Sequence, residues 1–269
     1  MSCLPSKKSS KLCSLNEAKT VVIIGGGFAG VSCARELCKR QSKHKIDIVI
    51  FSRENHMTFT PLLAECVGAS LHSADVMVPI RQLLPSVNCR TEEVSEIDIQ
   101  QKKVHFLTHD RDCQSLAYDE LIISSGNIAN LSAITGMIDH AFSLKTVGDA
   151  ELLRSHVLNQ LELAQVSSNP EERQSRLRFI VVGGGYSGVE AAGEINDLVH
   201  ASLKFFSQLK NENPEVLLIQ SGDHILPEIG KDLRHFAQSR MERAGVKILL
   251  RERVNIVGRQ GVTLESGEH

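Results

Sequence analysis

The 269-residue chain contains no tryptophan, two tyrosines and nine phenylalanines, so aromatic residues make up only 4% of it. Basic residues are not in surplus either: 30 Lys and Arg stand against 32 Asp and Glu, a formal charge of -2. Without a basic excess or a long block of one sign, nucleic acid is not expected as a partner. No apolar run approaches the roughly 18 residues of a spanning helix. The longest candidate, Val21 to Val31, is broken by four glycines. Seven cysteines, at positions 3, 13, 33, 38, 66, 89 and 113, are odd in number and scattered. The first sixteen residues, MSCLPSKKSSKLCSLN, lack the apolar run of a secretory signal and read as a flexible lead-in. Reduced thiols and a cytoplasmic setting are therefore expected. The eleven histidines include no HExxH or similar spacing, so no metal is expected.

With 42% hydrophobic and 23% charged residues, the chain can build two domains with real cores. Its clearest feature is an internal repeat. Val21 to Leu37, VVIIGGGFAGVSCAREL, aligns with Phe179 to Ile195, FIVVGGGYSGVEAAGEI, at an offset of 158 residues. Each copy is a buried-strand run, then a G-x-G-x-x-G, then small or apolar residues at helical spacing: Val31, Ala34 and Leu37 in one, Val189, Ala192 and Ile195 in the other. The glycines are Gly25, Gly27 and Gly30 in the first copy, and Gly183, Gly185 and Gly188 in the second. In such a loop the first glycine permits a tight turn and the second lets backbone approach a pyrophosphate. The third lets helix pack on strand, and the helix N-terminus faces the anion. A single glycine loop is a weak signal. Two in the same strand-to-helix context predict an α/β protein with two Rossmann-like dinucleotide-binding domains.

Each unit needs a second strand, supplied by Ile46 to Phe51 and by Val216 to Ile219. An acid commonly ends that strand and bonds the adenosine ribose. Here Ser52 stands 22 residues past Gly30, and Gln220 stands 32 past Gly188. Glu54 is a candidate substitute in the first copy, with a solvated loop glutamate as the alternative. Between the copies, Glu93 to Asp98, Lys103 to Leu107 and Leu116 to Ser124 predict an antiparallel meander returning to a parallel strand. The polar stretch Val166 to Arg178, with Pro170, reads as inter-domain connection. Domain bounds follow at 17–145 and 179–269, joined by 146–178.

The arrangement resembles the FAD-dependent pyridine nucleotide oxidoreductases, and among them the type II NADH dehydrogenases. The resemblance runs from about Thr20 to His269. Its residues are IIGGGFAG, Phe59 to Ala69 (FTPLLAECVGA), Tyr118 to Gly126 (YDELIISSG), Phe142 to Ala164, Val181 to Ile195 and Val216 to Ile229. It implies that Gly25, Gly27, Phe28, Ala29 and Gly30 hold the FAD pyrophosphate, with Ser52 and Arg53 near the adenosine. It also implies Val94 beside the adenine, Thr60, Pro61 and Leu62 passing the isoalloxazine, and Ser125 with Gly126 at the flavin turn. Ser124 and Ser125 replace the family's alanine and threonine there. Gly183, Gly185, Tyr186, Ser187, Gly188, Gln220 and Ser221 would then hold NADH or NADPH. The implied activity is hydride transfer from NAD(P)H to FAD and onward transfer of electrons to a quinone.

The family places a glutamate where Glu190 stands, at the junction of nicotinamide, flavin and quinone, so Glu190 is the expected catalytic carboxylate. Read from the residues alone, it is an acid in the first helical turn favouring the helix dipole. Cys33 and Cys38 mimic the C-x-x-x-x-C of disulfide reductases, but five helical steps of about 100° turn the two side chains apart. Cys66 reads as a small buried hydrophobe. At Gln220 an acceptor is kept while repulsion of a 2′-phosphate is lost. With only His224 nearby as a prospective cation and no arginine, tolerance of NADPH without preference is expected. The family continues with a Gly-Asp motif and amphipathic helices that dock on a membrane, so the chain is expected to be a truncated copy meeting the inner face of a membrane peripherally through a missing C-terminal region. Two alternatives stay open: a reductase delivering electrons to a small iron protein, and a nucleotide-binding module without turnover.

Overall fold

The computed structural model describes residues 18–41 and 45–267. The lead-in expected over the first sixteen residues lies outside the described residues. Among the described residues, those from 18 to Met57 together with Val78–Gly126 form one compact unit, and Thr58–Met77 together with residues 127–267 form a second.

The first unit opens with β1 (Lys19–Ile24), α1 (Phe28–Cys38) and β2 (Ile46–Phe51). Next, β3 (His56–Thr58) leads out to α2 (Leu63–Gly68) of the second unit, and β4 (Met77–Pro79) leads back. The first unit then adds α3 (Ile80–Leu83), β5 (Asn88–Arg90), β6 (Glu93–Asp98), β7 (Lys103–Leu107), β8 (Cys113–Ala117) and β9 (Glu120–Ile123). Strands β5, β2, β1 and β9 lie in that order in a parallel sheet, with Val22 opposite both Val49 and Leu121. Alternation along β1 serves two cores. Val21 and Ile23 join Val31 and Ala34 of α1, whereas Val22 joins Phe106 and Tyr118 on the opposite face. Strands β6, β7 and β8 form the antiparallel meander that supplies those opposite-face residues.

The expected return into a parallel strand over Leu116 to Ser124 is made by β9, while the start of that segment belongs to β8, a third meander strand that the sequence pattern does not separate from it. Strand β8 is antiparallel to β7, and β9 is parallel to β1. The switch lies at Tyr118 and Asp119. The Tyr118 N–H donates to the Lys102 carbonyl, while the Asp119 N–H donates to the Thr20 carbonyl, both at 2.9 Å. The Asp119 carboxylate accepts from the Thr20 N–H at 2.7 Å. One residue is thus tied to the meander and the next to β1.

The second unit contains α4 (Met137–His140), α5 (Val147–Val166), α6 (Pro170–Arg176), β10 (Arg178–Val182), α7 (Tyr186–Leu203) and β11 (Glu215–Gln220). It ends with α8 (Lys231–Arg243), β12 (Lys247–Leu250) and the hairpin β13 (Val254–Gly258) to β14 (Gly261–Leu264). Strands β10, β11 and β12 are parallel. The first unit ends at Gly126, not at the expected 145, because Ile134 and Met137 pack on Val254, Val257 and Leu264 of the second unit. Likewise 146–178 is no simple connection. Helix α5 starts with a capping box between Thr146 and Asp149 and buries Val147, Ala150, Val157, Leu161 and Ala164. These residues share a core with Leu63, Cys66 and Val67 of α2 and with Val189, Ala192 and Ile195 of α7.

Leu161, fully buried at mid-helix, distinguishes a core helix from a linker. Leu161→Ala should remove about 2–5 kcal/mol of stability, read as a lower denaturant midpoint. A loss within ~0.5 kcal/mol, the usual effect of a surface change, would return α5 to the role of a connection.

Candidate functional site

The two glycine loops fold alike. The Gly25 N–H donates to the Phe51 carbonyl at the end of β2, and the Gly183 N–H donates to the Ile219 carbonyl near the end of β11, both at 2.8 Å. Each first glycine has positive φ, +111° at Gly25 and +105° at Gly183. A Cβ on Gly30 would sit 1.9 Å from the Gly25 carbonyl oxygen, and one on Gly188 would sit 1.9 Å from that of Gly183. The middle glycines, Gly27 and Gly185, are the N-caps, and a Cβ on either would meet nothing within 4 Å. Neither cap has a side-chain hydrogen bond, and neither first turn holds an acid. An uncapped helix start beside open space fits a pyrophosphate, since protein atoms and like charge are both held back.

Around the first loop the structure gathers several expected residues. A Cβ on Gly26 would lie 2.3 Å from the Ser52 hydroxyl, which sets Ser52 at the loop. Its N–H donates to the Arg90 carbonyl at 2.9 Å. Arg53 and Glu54 are exposed in the turn beyond β2, and Val94 is half-buried against the Phe51 and Phe106 cluster. Arg90, absent from the sequence expectations, lies 4.3 Å from the Phe106 ring centre and pairs with Glu92 at 2.5 Å. Ser125 and Gly126 are exposed after β9. Ser124 braces the loop, with its hydroxyl 3.0 Å from the Ile24 carbonyl and 3.2 Å from that of Gly25. Thr60, Pro61 and Leu62 form a 3-10 turn belonging to the second unit.

At the second loop, Tyr186 and Ser187 are exposed at the start of α7. Gln220 is engaged within the protein. Its side-chain oxygen accepts from the Gly184 N–H at 2.9 Å, and its amide nitrogen lies 3.5 Å from the His224 carbonyl. Of the two amide atoms only the oxygen can accept from an N–H, which fixes the amide orientation. Ser221 is exposed. The expectation that no arginine stands here is corrected: β12 ends beside β11, and Arg251 Nε donates to Asp223 Oδ1 at 2.7 Å. Pairing of adjacent parallel strands brings together residues 28 apart, a proximity invisible along the loop sequence.

Glu190 also needs correction: it is the fifth residue of α7, so it belongs to the second turn, not the first. Partial burial and then the Glu65 carboxylate of α2 raise its proton affinity above the ordinary carboxyl value of 4.5. Glu194, one turn on, is raised chiefly by burial, against a hydrogen bond from the Ser70 hydroxyl at 2.8 Å. Glu65 itself has one carboxylate oxygen sealed from solvent with no hydrogen-bond partner. Cys66 is 2% exposed, and burial raises its thiol pKa, so it is a small buried hydrophobe as expected. Cys33 and Cys38 are both free.

Two strand-loop-helix units of one geometry, each opening at the C-terminal edge of a parallel sheet, define a tandem dinucleotide-binding α/β protein. The chain belongs to the pyridine nucleotide-disulphide oxidoreductase family, whose sequence pattern matches residues 19–269. It is 32% identical over 254 residues to the type II NADH:quinone oxidoreductase Ndh of Mycobacterium tuberculosis, covering 92% of this chain and 53% of that protein. It is 31% identical over 265 residues to the mitochondrial external alternative NAD(P)H-ubiquinone oxidoreductase B3 of Arabidopsis thaliana, covering 91% and 44%. The solved structure of NDH2 from Plasmodium falciparum in complex with NADH superposes with a TM-score of 0.83 at 23% identity, covering 94% of this chain and 52% of that one. The chain thus spans about half the length of the curated relatives it matches.

The glycine geometry separates two kinds of substitution. Gly30→Ala should lower the melting temperature sharply because strand and helix must part, whereas Gly27→Ala should leave it almost unchanged; equal losses would refute the assigned roles. Glu190 yields a pH test. Its folded-state pKa is raised, so its contribution to stability is complete below about pH 4.5 and is lost as pH rises through the raised value. Glu190→Gln should therefore gain stability relative to wild type at pH 7 and lose that advantage at pH 4. A difference independent of pH would remove the electrostatic account.

Proposed function

We propose that this chain belongs to an enzyme that moves hydride from NADH or NADPH to FAD and then electrons to a quinone. The observation that carries the reading is the duplicated loop with open space at Gly27 and again at Gly185. The names of the two curated relatives, an NADH:quinone and an NAD(P)H-ubiquinone oxidoreductase, support the substrate assignment. On this reading Gly25 to Gly30 hold the FAD pyrophosphate, with Ser52, Arg53, Val94, Ser125 and Gly126 toward the rest of that cofactor. Gly183 to Gly188 hold the nicotinamide dinucleotide. Bound flavin supplies the chemistry of accepting hydride and releasing electrons to the acceptor.

The residues of the chain bind, orient and set charge. At each loop the helix start attracts the pyrophosphate, and the middle glycine leaves room for it. Ser124 holds the carbonyls of Ile24 and Gly25, fixing the first loop. Gln220 fixes the second through the Gly184 N–H. Glu190 holds its proton to higher pH than an ordinary carboxyl does, through burial first and the Glu65 carboxylate second. Access to quinone on this reading is from the cytoplasmic surface of a membrane. No helix among the described residues is long and apolar enough to cross one.

The test uses the full chain, with its visible spectrum recorded before and after NADH is added. A flavin absorption that bleaches with NADH is expected. Gly27→Val should abolish flavin retention, and Gly185→Val should keep flavin but prevent bleaching. Loss of flavin on Gly185→Val and retention on Gly27→Val would reverse the two assignments. A colourless chain that still binds NADH would leave a nucleotide-binding module in place of an enzyme.

A further inference from the structure

Just past β12 stands an arginine whose conformation stability alone does not account for. Arg251 has φ of +62°, in the left-handed region that a long side chain rarely adopts. The surrounding backbone holds it there. The Arg251 N–H donates to the Gly222 carbonyl at 3.1 Å, and the next N–H, of Glu252, donates to the Gln220 carbonyl at 3.3 Å. Its guanidinium meets Asp223 at 2.7 Å, yet the two side chains are 78% and 66% exposed. An ion pair so exposed adds little to stability. Strained residues held by their surroundings concentrate where a ligand is bound.

The location is specific. Gln220 pairs with Leu250 across β11 and β12, so Ser221 and Arg251 leave neighbouring parallel strands at the same C-terminal edge. The β10 strand next to β11 ends on that edge too, at the loop of Gly183 to Gly188. Gln220, the residue at the usual ribose-reading position, already gives its oxygen to Gly184 and turns its amide nitrogen toward His224. Discrimination by charge therefore falls to the next charged groups on this edge, Asp223 and Arg251.

We propose that Arg251, restrained by Asp223, is the residue that reads the 2′-position of the adenosine ribose, so that the ion pair sets the choice between NADH and NADPH. The inference rests on reading Gly183 to Gly188 as the nicotinamide-dinucleotide loop. A guanidinium fork matches a phosphate in shape and charge. A 2′-phosphate has to compete with the Asp223 carboxylate for that fork and is repelled by it. A 2′-hydroxyl meets neither effect strongly. The intact pair thus accepts NADPH without favouring it, and each half of the pair pulls the choice in an opposite direction.

Calorimetric titration of the full chain with NADH and with NADPH tests this directly, without turnover. Two variants are compared with wild type: Asp223→Asn, which frees the guanidinium, and Arg251→Asn, chosen because asparagine tolerates positive φ. Circular dichroism checks that each variant is folded. Asp223→Asn should raise NADPH affinity relative to NADH about tenfold, and Arg251→Asn should lower it about tenfold, each ~1.4 kcal/mol. NADH binding itself should change by less than about twofold. If NADH binds and both variants leave the ratio of affinities within about twofold of wild type, the assignment of Arg251 is overturned while the loop reading stands. If wild-type chain binds neither nucleotide, the loop reading fails, and this inference fails with it.

Discussion

A helix lying on a carbonyl oxygen organises both halves of this protein. At Gly30 and again at Gly188 the chain approaches the carbonyl of the first loop glycine so closely that a single methyl carbon would stand 1.9 Å from it. That contact sets where α1 leaves β1 and where α7 leaves β10, and so which side chains of each helix meet the sheet. Gly30, Val31 and Ala34 are buried on α1, while Val189, Ala192 and Ile195 are buried on α7. Because the helix cannot drift outward without losing those contacts, its N-terminus stays aimed at the same open space. Packing and binding geometry thus have one origin.

Most of this was legible because it is local. A run such as VVII before GGG, followed by small residues at helical spacing, specifies strand, turn and helix within some twenty residues. The strands Ile46–Phe51, Glu93–Asp98 and Lys103–Leu107 lie where alternation and turn residues place them. What escaped depends on partners distant in sequence. Helix α5 leaves Leu152 and Leu163 exposed, which blurs its apolar stripe. Its role becomes clear only beside α2 and α7. Asp119 ends the meander because Thr20, 99 residues earlier, offers an N–H. Arg251 reaches Asp223 only through the pairing of β11 with β12.

The acids of α2 and α7 obey a different logic from those on the outer surface. Glu36 and Glu172 sit beside arginine or lysine in exposed pairs that hold their pKa values down. Glu190 and Glu194 have no cation as a cause of their shifts, and they feel Glu65 instead. Burial first and the Glu65 carboxylate after it act in the same direction, so both carboxyls hold their protons to higher pH than an ordinary carboxyl does.

The division of the chain has a consequence for its synthesis. Leu63, Ala64, Cys66 and Val67 of α2 are made early, yet the helices against which Leu63, Cys66 and Val67 pack begin at Val147 and Tyr186. At translation speeds of about 5–20 residues per second, α2 leaves the ribosome roughly 4–25 seconds before those surfaces exist. For that interval its apolar face is bare while the strands around it are already able to pair. Chaperone capture of nascent chains should therefore peak after α2 emerges and decline once α7 is complete, following the order in which the second unit assembles and not the order in which the first one ends.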